Sequence, residues 1–326
     1  MTARTLCGVA AAARTLATLA LTTCGSNSTA PTTPANPNPA IVARVVLAGG
    51  PIDIAARSNG TAFVTLNAAN TVGVVDLSNA TVTGSIAVGQ VPTFVVFDGA
   101  GTTAYVSNQY SDNVGVIDVG QAMQVSTISV HGDPIPMQVT ADGAALFVTT
   151  NANRLYKVSL ESKTVTDSLA LPATSHHLVL NGNGTRLYVA TRDGGSVLEV
   201  DPSDLAVLRT FMLGGRTQAM VLSPDRGTLY VANETKPLIQ SISLASGTVS
   251  DSAPLAGGAN GLAISADGTL LYASIIDGGE LQVVRRAAML VVATVVTQGR
   301  PRAVIFDAPR NQVAVANESG WVDVLR

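Results

Sequence analysis

The sequence predicts an all-β fold: seven blades of four antiparallel strands, closed into a propeller ring by an N-terminal strand that completes the last blade. Three observations predict it. One short phrase recurs through the chain at a nearly constant period. Each repeat holds four strand-like segments separated by turn residues. The two ends of the repeating region are complementary fragments of one repeat.

The phrase is seen in "AYVSNQYSDNVGVIDV" (104–119), "LYVATRDGGSVLEV" (187–200) and "LYASIIDGGELQVV" (271–284). Its aromatic anchor falls at Phe63, Tyr105, Phe147, Tyr188, Tyr230 and Tyr272, with Ala314 in the seventh place. The spacings are 42 residues, with one of 41 between Phe147 and Tyr188. The chain holds only one Trp, six Tyr and six Phe, so six aromatics at one position of the period cannot be chance.

The second unit shows the four segments clearly: "TFVVFD" (93–98), "TAYVSN" (103–108), "NVGVIDV" (113–119) and "QVSTISV" (124–130). They are rich in Val, Ile, Thr and Tyr and are bounded by Gly, Asn and Asp, the signals of strands and tight turns. No helical periodicity interrupts them. Four strands in about 42 residues is the size of a propeller blade, whereas the coils of a β-solenoid are shorter, about 20–30 residues.

Closure follows from register. The chain ends at "WVDVLR", which aligns with a third strand, so the seventh unit lacks its fourth. At the other end "IVARVVLAGGP" (41–51) aligns with the fourth-strand stretch "VTGSIAVGQVP" (82–92). A ring completed in this way has no free sheet edge between its termini, and a monomer is expected.

"AYVSN", "LYVAT" and "LYVAN", each after a glycine turn and before a strand like "VGVID", resemble the YVTN-type β-propeller repeat of secreted and surface bacterial proteins. The resemblance covers residues 41–326. It implies a seven-bladed ring and an extracytoplasmic address, and it implies no single activity, since one fold hosts binders and enzymes alike.

The N-terminus has the layout of a secretory signal over residues 1–23: Arg4 and Arg14, then an Ala/Leu/Thr-rich apolar segment. "LTTC" (21–24) resembles a bacterial lipobox, in which the cysteine becomes the lipidated first residue. Leu21 fits it; Thr23 departs from the usual Gly, Ala or Ser. Residues 24–40, which include "GSNSTAPTTPANPNPA", are rich in Pro, Ser, Thr and Asn and are expected as a disordered tether. Its sixteen residues after Cys24 span roughly 20–25 Å. Cys24 is therefore the expected lipidation site, and the protein is expected in the cell envelope as a membrane-anchored lipoprotein, touching the membrane through the anchor alone.

Composition excludes several classes. Charged residues make up 13% of the chain and the net charge is −3, which argues against nucleic acid, whose recognition rests on Lys and Arg. Cys7 and Cys24 are the only cysteines and both precede the repeats, so the repeats hold no disulfide and no thiolate metal site. No cofactor motif is present, and the three histidines with one nearby aspartate make a poor zinc site.

In a propeller the first strand of each blade lines the channel, and the loops leading into it share one face. The lead-ins are "GGPI" (49–52), "QVPT" (90–93), "HGDPIP" (131–136), "TSHH" (174–177), "GRTQ" (215–218), "GGAN" (257–260) and "GRPR" (299–302). Blades three to seven carry the polar groups: His131 and Asp133, His176 and His177, Arg216 and Gln218, Asn260, and Arg300 and Arg302. These nine are the candidate ligand-binding residues. The arginines suit an anionic small molecule or polymer through bidentate hydrogen bonds. Adjacent His176 and His177 should point to opposite faces of their strand. No catalytic set is visible, so the expected function is non-enzymatic: a binding or scaffold propeller of the bacterial envelope whose partner is an envelope protein or an anionic ligand. The alternative is a lactonase-type hydrolase working at the loop face.

Overall fold

The computed structural model describes residues 33–326, and these form seven four-stranded antiparallel sheets. The twenty-eight strands are numbered in chain order. Blades one to six take consecutive strands and cover residues 51–87, 92–129, 134–170, 175–212, 217–254 and 259–296. The seventh takes residues 301–325 and is completed by β1 (Ile41–Val46). β1 pairs antiparallel with β28 (Trp321–Leu325), from Ile41 opposite Leu325 to Val46 opposite Trp321. The seven-bladed ring and its closure therefore stand as the repeat predicts.

Burial peaks in the two middle strands of each blade, with the inner strand partly open to the channel and the outer strand largely exposed. In the fourth blade the second strand, Leu187–Thr191, and the third, Ser196–Val200, are buried at every residue. The outer strand of the first blade, Thr81–Ala87, is exposed except at Ile86. Middle strands are mostly apolar and buried because a neighbouring blade covers each of their faces, with a few buried polar residues such as Thr191, Ser196 and Glu199. Outer strands alternate with polar residues because one face meets water.

Seven apolar clusters fill the gaps between adjacent blades, one per gap, and the aromatic anchors sit in them. Phe63 packs on Phe97 of the next blade with ring centroids 4.8 Å apart. Tyr272 stacks on Phe306 of the next blade at 5.8 Å. Phe147 shares a cluster with Leu180, and Tyr230 with Ile264. Phe63 and Tyr272 thus reach the sixth residue of the following inner strand, and the other anchors share a cluster with it. At the last gap Ala314 shares its cluster with Ala56.

The ring is also locked by charge. Arg44 of β1 donates Nε to Asp323 Oδ1 at 2.7 Å and Nη2 to Asp323 Oδ2 at 3.2 Å. Its Nη2 reaches the Thr297 carbonyl at 2.7 Å, and its guanidinium lies 4.3 Å from the Trp321 ring centroid. Trp321 Nε1 donates to Asp323 Oδ2 at 3.0 Å, so the fully buried carboxylate has three donors.

One expectation needs correction. The tether was expected to run to residue 40, but residues from Pro34 onward are held against the ring. Ala35 N donates to Asp267 Oδ2 at 3.0 Å, Asn311 Nδ2 to the Pro34 carbonyl at 3.1 Å, and Ala40 exchanges two backbone hydrogen bonds with Arg326. Pro-rich sequence lacks a core of its own, but its backbone groups pair where the turns of other blades present partners. The signal segment, Cys24 and the tether through residue 32 lie outside the described residues.

Candidate functional site

The seven inner strands surround a channel of about 880 Å³ that opens on the loop face. Each inner strand carries a β-bulge near its start, for example between Pro51 and Ile54 and between Ser175 and His177. A bulge re-aims side chains and frees a backbone donor. Hydroxyls of the second strands satisfy these donors: Thr65 Oγ1 accepts from Asp53 N at 3.0 Å, Ser107 Oγ from Phe94 N at 3.0 Å and Ser274 Oγ from Gly261 N at 2.8 Å.

The bulges set which residues meet the channel. At the second position of the inner strands the first three blades present Ile52, Thr93 and Ile135. The other four present His176, Gln218, Asn260 and Arg302. At this one position three blades thus present Ile, Thr and Ile and four present larger polar side chains, while Asp53, Asn67, Gln109, Gln138 and Asn151 of the first three blades also line the channel. His176 and His177 were expected on opposite faces, yet both line the channel, because the bulge between Ser175 and His177 breaks the two-residue alternation. Burial pushes both imidazoles down to about 4, helped by the Arg192 charge at His176 and by His176 at His177. Nδ1 of His177 is buried with no hydrogen-bond partner among the described residues.

Six of the nine candidates line the channel: His176, His177, Gln218, Asn260, Arg300 and Arg302. His131, Asp133 and Arg216 do not. The 131–133 turn is tied to Asp112, whose Oδ1 accepts from Gly132 N and Asp133 N at 2.9 and 3.0 Å. Arg216 points along the rim to Asp193 at 2.9 Å. The lead-in loops curl outward at these points, so equivalent sequence positions do not reach the axis equally.

Five further groups complete the site: Asp53, Phe94, Arg192, Glu234 and Glu318. Arg192 binds Glu234 Oε2 through Nη2 at 2.6 Å, and Gln218 Nε2 donates to the same oxygen at 2.9 Å. Arg302 and Arg300 share Glu318 Oε2 at 2.9 and 3.1 Å. The rim arginines therefore each have a carboxylate partner, and the positive charge that suited them to an anionic ligand is offset locally. Arg192, Glu234 and Glu318 follow the second strands at the period of the repeat, as Asn67, Gln109 and Asn151 do, so that period carried the signal for them. Asp53 and Phe94 carried none, because their exposure depends on the bulge.

Asp53 lies in the channel wall and accepts from Val95 N at 3.0 Å, linking the first two blades. Burial pushes its carboxyl up to about 7, against the lowering effect of backbone hydrogen bonds from Val95 and Ile54. The unfolded value is 3.8. The folded state thus holds a proton that the unfolded state has lost, and this contribution to stability falls as pH rises from about 4 through about 7. The histidines act oppositely in their own window, since they are neutral when folded and charge when unfolded below pH 6.5. Asp53→Asn is expected to raise the urea midpoint relative to the parent at pH 8 and to leave it nearly unchanged at pH 4. Equal differences at the two pH values would show that the carboxyl is not desolvated.

No family model matches the chain, and no curated protein matches it. Among solved structures the chain is similar to Kuenenia stuttgartiensis hydrazine synthase, with a TM-score of 0.78 and 20% identity over 85% of this chain and 96% of that one. At that identity the likeness concerns the fold alone: what the comparison adds to the geometry is a seven-bladed β-propeller.

Proposed function

We propose that this protein is a non-enzymatic binding propeller of the bacterial cell envelope, of the YVTN-repeat type, which takes a small ligand at the mouth of its central channel. The observation that supports it is the channel itself: about 880 Å³, within the usual range of small-molecule sites, with polar side chains converging at its mouth and apolar groups such as Ile52, Phe94 and Ile135 among them. A scaffold role for an envelope protein partner uses the same face. A thermal-shift screen on the full chain tests the reading. A ligand found there should lose about tenfold in affinity in Arg302→Ala, because a charged hydrogen-bonding group contributes about 1.5–3 kcal/mol. A ligand indifferent to Arg302→Ala and Arg192→Ala places the site elsewhere.

The envelope address rests on the N-terminal sequence, with lipid at Cys24. Anchoring by acyl chains gains about 0.8 kcal/mol per buried CH₂. Cys24→Ser is expected to move most of the protein from the membrane fraction to the soluble fraction. An unmodified mature N-terminus elsewhere, found by mass spectrometry, would end the lipoprotein proposal and leave export standing.

The lactonase-type alternative has one supporting observation. Asp53 is a channel-lining carboxyl with a value near neutrality, as a general acid or base needs. Turnover of a lactone by the parent, lost in Asp53→Asn, would favour that reading over simple binding.

A further inference from the structure

The channel mouth narrows the chemistry of its ligand, on the reading that the channel is the binding site. Charge comes first. Arg192 is met by Glu234, and Arg300 and Arg302 are met by Glu318. An anion arriving there finds its donors already engaged by carboxylates that would repel it, and a cation finds the reverse.

Hydrogen-bonding capacity comes second. An anion needs donors only. The mouth instead offers groups that both donate and accept: the Gln218 and Asn260 amides and the imidazoles of His176 and His177, which stay neutral because burial keeps them so. The guanidinium–carboxylate pairs beside them also present both kinds of group. Asn260 makes no side-chain hydrogen bond among the described residues, and the buried Nδ1 of His177 has no partner there. A ligand that hydrogen-bonds the half-exposed Asn260 amide gains that contact, whereas His177 Nδ1 is closed off from the channel. A hydroxyl is the simplest group that donates and accepts at once.

Shape comes third. On the first three blades Ile52, Phe94 and Ile135 offer no hydrogen bonds, and they stand among Asp53, Thr93 and Gln138, which do. The complementary ligand therefore has a polyhydroxylated edge and an apolar C–H face.

We propose that the channel binds a neutral sugar, its hydroxyls on His176, Gln218, Asn260 and the flanking Arg–Glu pairs, and a C–H face against Ile52, Ile135 and Phe94. The chain's three histidines make the test internal, since His176 and His177 line the channel and exposed His131 does not. Neutral mono- and disaccharides (glucose, galactose, N-acetylglucosamine, maltose) are titrated into the full chain while the three imidazole signals are followed by NMR. Glucuronate and citrate run in parallel. At least one neutral sugar is expected to shift the His176 and His177 signals saturably and leave His131 unmoved. Its affinity should change less than about twofold up to about 1 M salt, because a neutral ligand has no charge to screen. Asn260→Ala should weaken it about tenfold, whereas Arg216→Ala, outside the channel, should not.

If the anions shift these signals, in a salt-sensitive manner, and no neutral sugar does so at about 10 mM, the sugar assignment falls and the channel remains the site. If neither set moves them, both the sugar assignment and the channel reading fall.

Discussion

Deletion of residues 41–48 is expected to lower the melting temperature by about 10 °C or more and to make the protein associate. β1 supplies the outer strand of the seventh blade, and Val45 and Leu47 are 4% and 5% exposed in the cluster between the last and first blades. Burying such side chains contributes about 1.5–3 kcal/mol each, and the Arg44–Asp323 contact adds to them. At this chain length each kcal/mol corresponds to about 2 °C. The deletion also leaves β28 as the exposed outer edge of the seventh blade, a template for intermolecular pairing. The single substitution Arg44→Ala isolates the charge. Asp323 keeps only the Trp321 donor and stays fully buried, so the loss is expected near 3 kcal/mol. Arg44→Lys should recover part of it, since an ammonium cannot make the bidentate contact. Denaturant midpoints measure both variants. A change under about 0.5 kcal/mol in Arg44→Ala would show that the closure does not depend on this pair.

Phe147→Ala should destabilise the protein by about 3–5 kcal/mol. The ring is 1% exposed and fills the gap between the third and fourth blades with Leu155, Leu178 and Leu187. Inter-blade gaps are narrow and backed by rigid sheets, so the cavity cannot collapse fully. Urea unfolding reads the loss. A value below about 1 kcal/mol would mean that the blades move together to fill the gap. The converse substitution is informative at Ala314, fully buried in the cluster that also holds Ala56. Ala314→Phe restores the repeat's aromatic but overpacks this gap, and a loss of about 1–3 kcal/mol is expected. The seventh gap differs at both places, with Ala314 for the aromatic and Ala56 where other blades have Phe97, Leu180, Ile264 or Phe306.

The candidate site was only partly legible in the sequence. His176, Gln218, Asn260 and Arg302 could be read because the period places them at one position of seven equivalent strands, and the ring brings such positions together. Arg192, Glu234 and Glu318 obey the same period after the second strands, so they too were readable in principle. Asp53 and Phe94 were not, because two-residue alternation predicts the wrong face where a bulge inserts a residue. His131 and Arg216 lie in the lead-in loops and miss the channel, because Gly132 N ties the 131–133 turn to Asp112 and Arg216 forms an ion pair with Asp193.

By itself the sequence determined the blade number, the four strands of each blade, the inter-blade aromatics and the strand that closes the ring. These follow from period and register, which are properties of the chain's order. Only the tertiary structure decided the sign and the shape of the channel mouth. Glu234 pairs with Arg192 of the preceding blade from 42 residues away, and Glu318 with Arg302 from 16, so the charge balance emerges only when neighbouring loops are set side by side. The depressed imidazoles and the raised Asp53 carboxyl have the same origin, since desolvation depends on what surrounds a group in space and not on its neighbours along the chain.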